Sequence, residues 1–311
     1  MERIDFIDRE TGEAVPVCAK PNCAHNDDLC NAYFHAPLEI HAYDGMLYVV
    51  AHGSEDSTMS LYRFSMDGSE KVEQKTLFSY EEEDNAGVSQ SFIIHRGYGY
   101  LVTNWMQKDR KERTQTLYRI SLDEDTEKEK IYEIKGYSPM IFLNQGEKNR
   151  LYFTAERYLD QDLKEYETNS FYLDLLKGTI TELDVPDGYV LLAAKNGKVY
   201  YYHQDEKALY WMNEDGTGQE KVFEWEYDNM CICQDERYLY VSNEFHIGPD
   251  ELPETEKKVA VLEYGGNVVR ELTFADLGEG YLKWSNGEQL LICQNGLDDG
   301  ETTYKLMDIK P

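Results

Sequence analysis

Short runs of alternating apolar and polar residues recur along the chain and predict β-strands rather than helices. One recurring piece is an aromatic–aliphatic strand closing on an Asp/Gly-type turn. Its clearest copies are Leu61-Tyr-Arg-Phe-Ser-Met-Asp-Gly68, Leu117-Tyr-Arg-Ile-Ser-Leu-Asp-Glu124, Phe171-Tyr-Leu-Asp-Leu-Leu-Lys-Gly178 and Leu209-Tyr-Trp-Met-Asn-Glu-Asp-Gly216. Looser copies lie at residues 259–266, 303–310 and, at the start of the chain, 4–12. A second piece, a hairpin, precedes each of the first six of these copies. The hairpins begin at Ile40, Ile94, Ile141, Leu192, Ile232 and Leu282, about 40 to 54 residues apart. Asp44-Gly45, Asn196-Gly197 and Asn286-Gly287 predict type I′ turns, in which both central residues take positive φ.

A hairpin with a third and fourth strand makes a small twisted sheet that cannot hide both of its faces alone. Stacking such sheets radially buries Leu, Ile, Phe and Tyr between neighbours and leaves only short edges. The pattern therefore predicts an all-β chain, a β-propeller over residues 1–311 as a single domain. Six hairpins predict six blades; seven blades, with the first cut short, is the alternative. The strand at residues 4–12 has no hairpin before it and is expected to close the ring by adding the outer strand to the last blade.

Composition narrows the function. The 31 basic against 60 acidic side chains leave a net charge of −29. Phosphate binding needs clustered Lys and Arg, so nucleic acid is excluded as a partner, and an anionic membrane surface is disfavoured for the same reason. No apolar run approaches the length of a membrane span. The opening residues, Met1 to Glu10, have no apolar core of a signal peptide. Either the protein is cytoplasmic or this chain begins downstream of its export signal. Hydrophobic residues make up 41% of the chain, enough for a core, and the 25 tyrosines suit half-buried pleated surfaces. Acidic stretches such as Glu81 to Asn85 and Asp123 to Glu127 are expected to be solvated loop tips.

One segment carries candidate chemistry. Cys18, Cys23, His25 and Cys30 place three thiols and one imidazole within thirteen residues, in the spacing Cys-x4-Cys-x-His-x4-Cys. Four such ligands are what a tetrahedral zinc or iron ion needs, and full protein ligation makes such a site structural rather than catalytic. Pro21 and Asn22 are expected to form a turn that folds two of the thiols together. Asp27 and Asp28 are expected beside the site, not in it. A disulfide between two of the thiols, or simple free thiols, remain as alternatives. Cys231 and Cys233 share one face of a strand, and with Cys293 are expected to act as small buried apolar residues.

Other features give weaker signals. His41 and His95, each following an Ile, are read at the same repeat position, but no ring of His recurs in the other blades. Trp105, Trp211, Trp225 and Trp284 are expected mainly in the core. Asp160, Asp162, Asp298 and Asp299 lack the full oxygen-rich spacing of a Ca²⁺ loop. No Gly-x-Ser-x-Gly nucleophile elbow and no phosphate-binding Gly-rich loop occurs.

The segments Leu61 to Gly68 and Leu209 to Gly218 resemble TolB-like propeller repeats. The whole chain resembles a family of TolB-like β-propeller lipoproteins from the surface of Gram-positive anaerobes. The resemblance rests on Asp8 to Gly12, Cys18, Pro21, Cys23, His25 and the run Cys30-Asn-Ala-Tyr33. It implies an extracytoplasmic, surface-tethered protein and carries no established activity. The expected function is thus a non-catalytic propeller, a monomer without a transmembrane segment, that binds a partner protein or a small solute or saccharide through its loop face. The alternative is a saccharide-acting hydrolase or lyase with its site at the channel mouth.

Overall fold

The computed structural model describes residues 2–310 apart from 9, 28, 54–57, 80–85, 106–111, 124–125, 187–188, 228–229, 244–257, 278–279 and 296–301. The acidic stretch from Glu81 to Asn85, and Asp28, Asp298 and Asp299, therefore lie outside the described residues. Almost all regular structure is strand. The chain opens with β1 (Glu2–Arg3), β2 (Asp5–Ile7), β3 (Ala14–Pro16) and β4 (Tyr33–Phe34); β1 pairs with β4 and β2 with β3. Then comes a four-stranded antiparallel meander, β5 (Glu39–Tyr43), β6 (Met46–His52), β7 (Thr58–Ser65) and β8 (Lys71–Ser79).

Two further repeats run together. They comprise β9 (Ala86–His95), β10 (Tyr98–Trp105), β11 (Glu112–Ser121), β12 (Glu129–Leu143), β13 (Arg150–Tyr158), β14 (Tyr166–Asp174) and β15 (Thr179–Glu182), neighbours in that order. The long strand β12 serves both repeats: its first part pairs with β11 and its last part with β13. The change of partner coincides with a bulge between Tyr137 and Met140, where Ser138 has φ +45°. A bulge bends its strand and sharpens the local twist.

Two more four-stranded meanders follow. One is β16 (Tyr189–Lys195), β17 (Lys198–His203), β18 (Ala208–Asn213) and β19 (Glu220–Glu224). The other is β20 (Cys231–Gln234), β21 (Tyr238–Ser242), β22 (Lys258–Glu263) and β23 (Val268–Thr273). After the single-turn α1 (Phe274–Leu277), the last sheet has three strands, β24 (Tyr281–Ser285), β25 (Gln289–Asn295) and β26 (Thr302–Asp308).

The chain divides into two compact units. One comprises Met1–Ile7, Ala14–Gly146 and Phe153–Phe171; the other comprises Asp8–Glu13, Glu147–Tyr152 and Tyr172–Pro311. In the first, Tyr48, Val50, Met59, Leu61 and Phe78 of one meander pack with Phe92, Leu101 and Ile120 of the next. In the second, Tyr200, Tyr202 and Leu209 pack with Leu239, Val241 and Ala260, while Tyr238, Tyr240 and Val261 pack with Leu282, Leu290 and Ile292. The core thus lies between the faces of successive sheets. Fully burying one such side chain stabilises by about 1.5–3 kcal/mol.

The turns fix the register. Asp44-Gly45 and Asn196-Gly197 have positive φ at both central positions, as a type I′ turn needs. At Asn286-Gly287 only the glycine does, and the turn has slipped by one residue. Gly287 takes the first central position, while the Asn286 Oδ1 accepts from the Glu288 and Gln289 amides. A third hairpin turns at Arg96-Gly97, also with φ positive at both. It places His95 opposite Tyr98, whereas His41 lies opposite Tyr48, whose repeat equivalent is Tyr100. His41 and His95 are therefore not at one repeat position, because the turn and not the preceding Ile sets the register.

The start of the chain also departs from expectation. The strand at residues 4–12 is not paired with β26 among the described residues. It folds back as the β2–β3 hairpin because Asp8 closes a turn. The Asp8 Oδ1 accepts from the Glu10 amide (2.9 Å), the Thr11 amide (2.7 Å) and the Thr11 hydroxyl (3.0 Å), with Gly12 at φ +74°. These bonds, the Thr11 amide first, hold the exposed carboxyl below its usual range.

Candidate metal centre

The segment between β3 and β4 brings together all four predicted ligands. The sulfurs of Cys18, Cys23 and Cys30 and a ring nitrogen of His25 all lie within 4.8 Å of one another. His25 Nδ1 stands 3.4 Å from Cys30 Sγ. Ligands bonded to zinc at about 2.3 Å in a tetrahedron lie about 3.8 Å apart, so the spread suits one ion. None of the six cysteines forms a disulfide.

Local sequence builds this pocket. Pro21 and Asn22 occupy the central positions of a turn closed by the Cys23 amide on the Lys20 carbonyl (3.3 Å). Asn22 has φ +59°, so the turn follows the Pro-then-Asn preference of type II. A second turn, closed by the Cys30 amide on the Asp27 carbonyl (3.2 Å), returns the chain, and Asp27 Oδ1 accepts from the Leu29 amide (3.1 Å). Asp27 thus shapes the loop and adds no ligand. Lys20 Nζ donates to the Leu29 carbonyl (2.6 Å), bridging the two turns.

The electrostatics are graded. Cys30 is buried, with 1% of its surface exposed, while the other three are half-buried. Burial pushes the Cys30 thiol up to about 11, opposed by the Ala32 amide and helped by the neighbouring Cys18 and Cys23 sulfurs. For Cys18, burial works the other way from the outcome. The Lys20 and Asn31 amides and the Cys30 and Cys23 thiols outweigh it and lower the thiol below its usual value. Amide donors on a sulfur stabilise its thiolate, the form a metal takes.

Residues outside the four ligands hold the loop in place. Asn31, itself buried, donates through Nδ2 to the Gly68 carbonyl (3.0 Å) and the Ser69 carbonyl (3.3 Å) on the β7–β8 turn. The Ala19 amide donates to the Gly68 carbonyl as well (3.2 Å). Asp67 stays ionised in that turn, held down to about 2 by the Ser69 hydroxyl and amide. Lys71 Nζ donates to the Tyr33 carbonyl and sits 4.1 Å from the Phe34 ring centroid. Phe34 in turn packs with Val49, Ala51 and Tyr62. Sequence reasoning read Gly68 only as a repeat turn and passed over Lys71. Asn31 stood in the Cys30-Asn-Ala-Tyr33 run, but its role became visible only with its partner 37 residues away.

Gly68 gives a direct test. Its φ is +72°, and a Cβ there would lie 2.5 Å from the Cys18 amide nitrogen and the Val17 carbonyl carbon. Gly45 has the same φ class, but its Cβ would meet nothing within 4 Å. Gly45→Ala is expected to cost only the left-handed conformation, about 1–2 kcal/mol. Gly68→Ala adds a backbone collision and is expected to melt several degrees lower still, at about 2–4 °C per kcal/mol. Calorimetry on the two variants reads the difference, and equal melting points would contradict the docking.

The remaining sequence candidates do not form a second centre among the described residues. His41 is pushed down by burial; it stands 3.8 Å from Glu39 and edge-on to Phe92. His95 packs against Gly146, where a Cβ would come within 2.4 Å of the ring. Trp225 is core, Trp211 is half-buried with Lys198 Nζ 3.1 Å from its ring centroid, and the side chains of Trp105 and Trp284 lie outside the described ones. Cys293 is buried as expected, but Cys233 is exposed and Cys231 half-buried, since β20 is covered less than β25. Asp160 accepts from the Lys164 and Glu165 amides and serves a turn. A cleft of about 350 Å³ between the turns at Glu147–Arg150 and Asn196-Gly197 holds Glu147, Asp174 and Glu214. Its carboxylates are tied to Lys195, Lys177 and Arg150 respectively. That pairing leaves no free acid and base, so the saccharide-hydrolase alternative finds no support there.

No protein-family model matches the chain, and no curated protein does. Solved structures do. The β-propeller domain of the Trilobed protease from Pyrococcus furiosus is similar at 11% identity and a TM-score of 0.56, over 90% of this chain and 86% of that one. The fold is a β-propeller. Pyrococcus horikoshii acylaminoacyl peptidase is similar at 12% identity and a TM-score of 0.56, over 89% of this chain and 45% of that one. A prolyl endopeptidase is similar at 10% identity and a TM-score of 0.54, over 88% and 39%. This chain thus spans less than half the length of those two peptidases, and at such identities the likeness concerns the propeller fold alone. No helix among the described residues is long and apolar enough to cross a membrane.

Proposed function

We propose that this chain is a non-catalytic β-propeller in which Cys18, Cys23, His25 and Cys30 hold one structural zinc or iron ion, and whose loop face binds a partner protein or solute. The observation that carries the metal reading is the convergence of four ligand atoms within 4.8 Å on a loop docked against the β7–β8 turn. Three thiolates and one imidazole suit zinc, and a complete ligand set favours a structural role. The ion would clamp residues 18–34 to the first meander and release protons as it binds.

The same proposal takes residues 1–311 as one six-bladed domain, the blades being the meanders at β5–β8, β16–β19 and β20–β23, the two sharing β12, and the last sheet. The resemblance to TolB-like surface lipoproteins supports an extracytoplasmic, surface-tethered protein, and the proposal takes it as a monomer. The absence of a nucleophile elbow from the sequence favours binding over hydrolysis.

Two experiments test this. X-ray absorption on the purified chain is expected to show three sulfurs at about 2.3 Å and one nitrogen at about 2.0–2.1 Å from the ion. A first shell of oxygens would reject the site. Incubation with panels of polysaccharides and peptides is expected to give no product, and sustained turnover would reject the non-catalytic reading.

A further inference from the structure

A second cluster lies on β12, β13 and β14, far in sequence from the cysteines. Tyr166 is 52% exposed, and its hydroxyl donates to Glu156 Oε2. The Tyr166 and Tyr158 rings stand 5.2 Å apart, centroid to centroid, inclined at 53°. Tyr137 is the cross-strand partner of Tyr158, and Met140, 41% exposed, is the partner of Glu156. The bulge after Tyr137 puts Met140 in that register. Phe142, two residues along β12 from Met140 and so on the same face of the strand, is exposed as well. Large apolar side chains exposed together are unusual enough to need a reason.

The carboxylate explains what is missing. Burial raises the Glu156 carboxyl above its usual range, against the pull of the Tyr166 hydroxyl. Among the described residues no Lys or Arg pairs with it. The adjacent Arg157 is engaged with Glu167 (2.8 Å) and the Lys135 carbonyl (2.8 Å). A half-buried carboxylate without a counter-ion is costly, and a bound cation would offset that cost.

We infer that the Glu156–Tyr158–Tyr166 face binds a small quaternary ammonium solute. A cation over a tyrosine face is attracted to the ring, and a hydroxyl that donates to a carboxylate makes its ring richer in electrons. A primary ammonium would need three acceptors in place of its water. This face supplies one carboxylate amid methionine and aromatic carbon, which suits methyl groups on nitrogen. Its few side chains fall far short of the roughly 20–30 residues a side of a stable protein interface, so the occupant is a solute. The site does not depend on the N-terminal cluster, and metal removal leaves it in place.

The test uses choline and its neutral carbon isostere, 3,3-dimethylbutanol, at constant ionic strength. Saturation-transfer NMR and calorimetry on the whole chain are expected to show choline binding and little or none of the isostere. Glu156→Gln and Tyr166→Ala are each expected to weaken choline by about tenfold or more, and Tyr166→Phe, which keeps the ring, by less. Melting points within a degree or so of wild type keep the comparison fair; if Tyr166→Ala fails to fold, Glu156→Gln and Tyr166→Phe decide. Four outcomes would overturn the inference. Three are failure of choline to bind the folded chain, equal binding of the isostere, and variants that bind choline as wild type does, which would mark mere attraction to an acidic protein. A dimer that Tyr166→Ala dissociates would assign the face to a second copy.

Discussion

A Cys30→Ala variant is expected to lose its metal entirely, falling from one ion per chain to less than about 0.1, and to melt well below wild type. Cys30 is the ligand most completely enclosed, and its carbonyl also accepts from the Tyr33 amide at 3.2 Å. Three remaining ligands bind zinc far more weakly than four, and the ion's binding free energy adds to the folding free energy of the loop. The comparison variant is Cys293→Ala. Cys293 is 3% exposed on β25 and makes no part of the cluster. It is expected to cost about 1–2 kcal/mol for the lost sulfur and to keep one ion per chain. Elemental analysis with calorimetry on both separates the metal from the cavity. Metal retained in Cys30→Ala would place the ion elsewhere.

The second large effect is expected at Asp235, in the turn between β20 and β21. Its Oδ1 accepts from the Arg237 amide (2.7 Å) and the Tyr238 amide (2.8 Å). Its Oδ2 accepts from the Tyr240 hydroxyl and from Ser285 Oγ (3.0 Å), a residue of β24. The Tyr264 hydroxyl donates to the Asp235 carbonyl. One carboxylate thus closes a turn and joins two successive sheets. Burial, then the Asp235 bond, push the Tyr240 phenol up, so it remains a donor at every working pH. Asp235→Ala leaves that buried hydroxyl without its charged acceptor. A charge-assisted bond contributes about 1.5–3 kcal/mol, and the Tyr240 hydroxyl keeps Ser285 Oγ as a second partner, so a loss of about 2–3 kcal/mol is expected. Urea titration measures it. Tyr240→Phe is expected to cost less in the Asp235→Ala background than in the wild-type chain, and strict additivity would show that the two groups are not coupled.

Much of the fold was legible because strand repeats write themselves in the sequence. Asp44-Gly45 and Asn196-Gly197 pinned their hairpins, and the alternation around Leu61 and Leu209 marked buried faces. The failures have physical causes. Asn286-Gly287 has the right residues, yet Asn286 spends its side chain on two amides and the turn slides to Gly287. His41 and His95 looked equivalent beside their isoleucines, but Arg96-Gly97, a turn without Asn or Asp, set a different register. The strand at residues 4–12 read as an edge strand, while Asp8 and Thr11 already encoded its reversal. Of the cluster, the ligands and the Pro21-Asn22 turn were readable because they are local. Asn31 on Gly68 was not, since a side chain's distant backbone partner leaves no periodic trace.

Metal content and thiol count on one untagged preparation test the central claim most directly. The account predicts one zinc or iron per chain, with all six thiols titrating after denaturation in chelator. A chain with no metal and two thiols missing would mean a disulfide in the cluster and would contradict it.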